Sequence, residues 1–232
     1  MSLKKCVSVI CGFGLIISLL IASISLSVFD RSFYTDLYEK TDLAAEENIS
    51  EDDLYNSLFM MLDYVQGKRD DLDGTIIWHQ RVQPTFNEKE IAHMKDVRSL
   101  WQHARSAGWI CFAVSVIAAI WLMAKHVRSG ISWIAWGYLM AAAGFLIILT
   151  LLGLWMWMDF TGFWISFHHL FFSNNLWLLD PATDFMIVIC PEIMFSSLIT
   201  RILLLFVPAF LILAALSIYI LKRKAPVGFT TL

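Results

Sequence analysis

Apolar residues along the chain gather into four runs, over 7–29, 108–124, 131–156 and 202–221. Each approaches or exceeds the roughly 20 residues that a hydrocarbon core requires. Between the first two runs the pattern turns polar and acidic, and helical and strand-like spacings replace uniform hydrophobicity. Ser50 precedes EDDLYNSLFMMLDYV, in which Leu54, Leu58, Met61, Leu62 and Val65 recur at helical spacing. Ser50 with Asp53 reads as an N-cap and Gly67 as the stop. GTIIWHQRVQPTF is β-branched and aromatic and predicts a strand or two. Asn87 and Glu90 form an Asn-x-x-Glu capping box that starts a helix running without proline into the second apolar run.

The stretch 160–172 is too short to span, nearly uncharged and aromatic on most faces. It predicts a re-entrant or interfacial helix, preceded by Trp155 and Trp157 at belt positions. Asp180-Pro181 reads as a helix N-cap followed by proline at the first helical position. Pro191-Glu192 repeats that arrangement ahead of the last run. The expected fold class is a mainly α membrane protein: four transmembrane helices, both termini cytoplasmic (N-in, C-in), and a small extracytoplasmic α+β region. The divisions are 1–29, the first span; 30–107, an extracytoplasmic domain whose helix leads into the membrane; 108–156, the second and third spans; 157–201, an extracytoplasmic or interfacial segment; and 202–232, the fourth span with a basic cytoplasmic tail.

Charge gives the orientation. Of the 232 residues only 16% are charged, and the mean hydropathy is +0.66. The inner pieces 1–6, 125–130 and 222–232 hold Lys4, Lys5, Lys125, Arg128, Lys222, Arg223 and Lys224, while all 20 acidic residues fall in 30–107 and 157–201. Short purely basic loops belong inside. The first run is longer than a signal-peptide core, so an uncleaved anchor is expected. The four cysteines lie at or near the apolar runs without CxxC spacing and read as small apolar fillers.

No GxSxG, Ser-x-x-Lys, HExxH or P-loop occurs, which leaves histidine acid/base chemistry as the chemistry on offer. His126 sits in a basic inner loop, His79 in the strand-like stretch and His103 on the helix approaching the membrane, none within a constellation. His93 has Asp96 three residues on, on the same helix surface. That pair can be an oriented imidazole, but on the residues alone two solvated surface groups is the favoured reading. His168 and His169 lie in SFHHLFFSNNLWLLDP, where an imidazole is costly without a partner or water. Interfacial anchoring accounts for them as well, and the two rings point about 100° apart around a helix.

The blocks YNSLFMMLDYVQG, EIAHMKDVRSLW and FHHLFFSNNLWLLDPATDFMIVICPEIMF resemble a family of four-span membrane proteins of Gram-positive bacteria, the lipoprotein intramolecular transacylases. The resemblance covers nearly the whole chain. It implies an acyltransferase of the cell membrane, multi-pass, with its active site facing the extracytoplasmic side. Its substrates would be diacylglyceryl-modified lipoproteins, whose sn-2 acyl chain moves to the cysteine α-amino group to give the lyso-form. It further implies His93 and His168 as the catalytic pair, with His169 unassigned, and Asp96, Asp180 and Glu192 in support. No cofactor or metal, no nucleic acid, contact with membrane lipid and a monomeric state complete the expectation. The alternatives are a non-catalytic membrane protein that binds lipoproteins or a membrane partner, and a metal-dependent membrane hydrolase.

Overall fold

The computed structural model describes residues 2–223, so Lys224 of the basic tail lies outside the described residues. Elements in chain order are α1 (Leu3–Val28), α2 (Arg31–Thr41), α3 (Leu43–Glu46), α4 (Glu51–Gln66), β1 (Thr75–Trp78), β2 (Arg81–Pro84), α5 (Glu88–Met123), α6 (Val127–Met158), α7 (Phe160–Phe171), α8 (Phe185–Ile189) and α9 (Glu192–Arg223). Among the described residues, α1, α5, α6 and α9 are long and apolar enough to cross a membrane. The chain divides into two compact units.

One unit takes the residues up to Ile24, Arg105–Met158 and those from Ile202 on. Its centre is Ile16, Tyr138, Ala141, Phe145, Phe206 and Phe210, with the Tyr138 hydroxyl donating to the Phe210 carbonyl at 2.9 Å. In lipid, helices gain little from burying apolar surface against each other, so small residues that permit close approach decide where they pack. Gly12 of α1 and Gly137 of α6 meet backbone to backbone: a Cβ on Gly137 would stand 2.0 Å from the Ser8 carbonyl oxygen. Large side chains such as Ile147, Leu151 and Leu204 stay exposed, as lipid-facing positions require.

The other unit is Ser25–Ala104 with Asp159–Arg201. Ser50 accepts from the Asp53 amide, and Gly67 closes α4 at φ 80°, a left-handed conformation that glycine adopts without strain. The apolar face of α4 then packs Leu54, Leu58 and Met61 into a core shared with Tyr34, Tyr38, Ile76, Trp78, Phe86 and Phe185. β1 and β2 pair as an antiparallel hairpin closed by His79 and Gln80 at φ 51° and 62°. A two-residue turn with both central φ positive matches the strand twist.

Two readings change. Residues 31–41, a polar and acidic stretch to which the sequence pattern assigns no element, form α2: Asp30 caps it, and Tyr34 and Tyr38 bury one edge. Asp180-Pro181 does not begin a helix. The Asp180 carboxylate accepts from the Ala182 amide, closing a local turn, and Asp184 occupies the residue ahead of α8. A side chain satisfied two residues on favours a turn over helix propagation.

Candidate active site

The site is built from the first turns of α5, the end of α7 and the loop that follows it. The capping box fixes where α5 starts. The Asn87 side-chain oxygen accepts from the Glu90 amide at 3.0 Å, and Glu90 accepts from the Asn87 amide at 2.6 Å. Glu90 is 1% exposed and uses its second oxygen for the Met186 amide, at 2.5 Å. Asp184 adds to the joint: it accepts from Lys89, the Asn87 side chain and the Asp180 amide, and these donors hold its carboxyl down at about 2 against the opposing effect of burial. The register of α5 is thus tied to 178–186, and His93 follows one turn later.

On α7, Asp159 caps the first turn by accepting from the Gly162 amide. Trp164 and His168, four residues apart, then share a face. The His168 Nδ1 lies 2.8 Å from the Trp164 carbonyl oxygen. A carbonyl only accepts, so Nδ1 carries the hydrogen and Nε2 of the neutral ring keeps its lone pair.

His93 and His168 come together with ring centroids 6.2 Å apart and planes inclined by 35°. Phe172 lies against both, 5.3 Å from His93 and 5.7 Å from His168. Trp177 stacks on His168 at 4.7 Å, and Trp164 meets it edge-on at 4.8 Å. Each imidazole is 8% exposed. Burial lowers both rings below the ordinary histidine value. His93 is brought down to about 4, with His168 lowering it further and Asp96 opposing; in His168 the Trp164 bond opposes and His169 adds to the lowering. Both are therefore neutral at neutral pH. His169 is exposed and only meets the edge of Trp177, at 5.1 Å.

The supporting carboxylates are dispersed. Asp96 accepts from the Asn174 side-chain amide at 2.8 Å, and the His93 Nδ1 is buried without a hydrogen-bond partner among the described residues. Glu192, in the first turn of α9, accepts from the Thr161 hydroxyl at 3.0 Å. Asp180 belongs to the turn ahead of α8. Among the described residues, no three of His, Cys, Asp and Glu gather closely enough to hold a metal ion. Asn174 and Trp177 were not singled out from sequence. Trp177 sits in the quoted aromatic stretch, but nothing local marks Asn174.

The family model for the lipoprotein intramolecular transacylase Lit matches residues 9–195. The chain belongs to this family. As a transacylase it is an acyltransferase, integral to the membrane through four apolar helices. Its fold is similar to that of a solved structure of the membrane-integral lipoprotein intramolecular transacylase Lit from Bacillus cereus. That match has a TM-score of 0.75 at 20% identity and covers 95% of this chain and 97% of that one. Two further structures of that protein, with a histidine replaced by arginine and by alanine, match at TM-scores of 0.70 and 0.71, each at 17% identity. Both cover 95% of this chain, against 93% and 94% of theirs. The comparison with curated proteins gives no match.

Proposed function

We propose that the enzyme moves the sn-2 acyl chain of an S-diacylglyceryl cysteine onto the α-amino group of that same cysteine, with His93 and His168 handling the protons. The observation that carries this reading is the pair of buried, neutral imidazoles, one of which has its Nε2 lone pair fixed by the Trp164 carbonyl. The amine nitrogen attacks the ester carbonyl, the N–C bond forms, and the bond from carbonyl carbon to glyceryl oxygen breaks. One proton leaves nitrogen and one arrives on the departing oxygen. His168 takes the first through Nε2, and the imidazolium so formed supplies the second, with His93 beside it sharing the transfer. Nucleophile and ester belong to one molecule, so the larger task is holding a productive conformer, and the aromatic walls Trp164, Phe172 and Trp177 serve it. Exchanging ester for amide is downhill and asks for no cofactor.

The same reading places the site on the extracytoplasmic side, because the short basic loops belong inside. The enzyme works there as a monomer among membrane lipids, on lipoproteins already bearing diacylglycerol.

Substrate and product are isomers, so the intact mass of a modified peptide does not move. The test is expression in cells that make only diacylglyceryl lipoproteins, followed by fragmentation of the N-terminal lipopeptides and labelling of free α-amines. Wild type gives N-acyl fragments and blocked amines. His93→Ala and His168→Ala each leave the amine free; N-acylation that persists in both variants would overturn the proposal.

A further inference from the structure

Among the described residues the buried Nδ1 of His93 has no hydrogen-bond partner, although a carboxylate, Asp96, stands three residues along the same helix. Residues three apart on a helix are surface neighbours, and a carboxylate so placed is within reach of the imidazole N–H. Here one of its oxygens is engaged elsewhere: the Asn174 side-chain amide donates to Asp96 Oδ2 at 2.8 Å across 78 positions of sequence. The rest of Asn174 is fixed as well. Its side-chain oxygen accepts from the Leu176 amide at 3.1 Å, and its main-chain carbonyl accepts from the Trp177 indole at 3.0 Å.

We infer that Asn174 is a positioning residue that holds the Asp96 carboxylate off His93 and so leaves that ring without an anionic partner. This rests on the acyl-transfer reading of the site only for its kinetic consequence; the arrangement itself is a matter of geometry. The titratable groups acting on His93 are His168 from α7, which opposes a positive charge on it, and Asp96 from its own helix, which favours one. Releasing Asp96 would pair it with His93, stabilise the imidazolium and remove the ring from use as a neutral group. A single residue thereby serves both rings: its side chain restrains the neighbour of His93, and its main chain seats the indole that covers His168. The second contact uses a backbone oxygen and survives substitution of the side chain, so Asn174→Ala isolates the first.

The experiment compares wild type, Asn174→Ala, Asp96→Asn and the double variant as full-length enzymes in mixed micelles. It uses a synthetic S-diacylglyceryl cysteine peptide and NMR of isotope-labelled histidine rings. Asn174→Ala should raise the His93 titration midpoint by a unit or more and move the acid limb of the turnover profile to higher pH by the same amount, one pKa unit being a factor of ten in proton affinity. Removing the carboxylate in the double variant should restore both the midpoint and the shape of the pH profile, a rescue that a structural defect would not show. Asp96→Asn alone should leave the His93 midpoint no higher than in wild type. An unchanged His93 midpoint in Asn174→Ala would overturn the assignment, as would a loss that the double variant does not repair. The ring titration is read without turnover, so inactivity of wild type on the peptide would count against the acyl-transfer reading while the titration still decides the role of Asn174. Should Asn174→Ala fail to fold, Asn174→Asp decides: two adjacent carboxylates repel, Asp96 is released, and the same rise in the midpoint is expected.

Discussion

The imidazoles of His93 and His168 lie 6.2 Å apart, each nine-tenths buried, and His168 opposes a positive charge on His93. For His93 burial is the larger cause and His168 the second, and together they bring it to about 4. Ring signals of His93 should therefore titrate well below the ordinary 6.5, and His168→Ala, which removes a neighbouring ring and admits water, should move them back up. The stability consequence has a definite sign. The unfolded ring binds its proton near 6.5 and the folded ring only near 4, so the unfolded state holds more protons between those values. Folding stability should fall as pH drops from 6.5 to 4, by up to about 3 kcal/mol from this group, and His93→Ala should flatten that part of the pH dependence.

The two adjacent histidines are distinguished by burial rather than by residue type. His168→Ala should lower transfer by about 10²- to 10⁴-fold, the usual contribution of a positioned acid/base group. His169→Ala, at an exposed position, should stay within about twofold of wild type, since such sites shift free energies by about 0.5 kcal/mol or less. Initial rates on a diacylglyceryl peptide check both; equal losses would contradict the assignment.

Glu90 joins the start of α5 to Met186 through two backbone amides. In Glu90→Gln one amide loses its acceptor and faces the glutamine NH₂ group instead. A buried donor left unmatched costs about 1–3 kcal/mol, so the thermal unfolding midpoint should fall clearly. A variant as stable as wild type would show that the joint does not bear on folding.

At the contact of α1 and α6, Gly137→Ala places a methyl group against the Ser8 backbone, which cannot move aside as a flexible side chain can. Helix separation should cost about 1–3 kcal/mol, as overpacking does, measured by unfolding in mixed micelles. Gly144→Ala, where an added Cβ meets nothing within 4 Å, is the control and should leave stability unchanged.

What could be read from sequence follows from how local the cause is. The apolar runs, the caps at Ser50 and Asn87, the stop at Gly67, the strand-forming stretch and the aromatic helix α7 each depend on residues within a few positions, and each was legible; the pairing of β1 with β2 was not. α2 was not, because its sequence is mostly polar and is held by Tyr34 and Tyr38 inserting into a core assembled from distant segments. The Asp180-Pro181 reading failed because helix caps and turns use the same side-chain-to-amide bond, and only the following residues decide between them. In the site, His168 stood out by residue type in an apolar setting, whereas His93 was singled out only by the family resemblance. The proximity of the rings, the bond from Asn174 to Asp96 and the stacking of Trp177 are long-range facts that no spacing encodes.

The capping box and its tie to 178–186 bear on how the protein is made. His93 emerges from the ribosome early, and two complete spans are threaded into the bilayer before His168, Trp177 and Met186 exist to meet it. Until then Glu90 lacks the Met186 amide and His93 lacks its aromatic cover, so the half-synthesised chain carries an ordinary, protonatable imidazole on an unanchored helix. The joint at the start of α5 and the aromatic cover of His93 therefore form only after α6, α7 and the loop that follows them have been made.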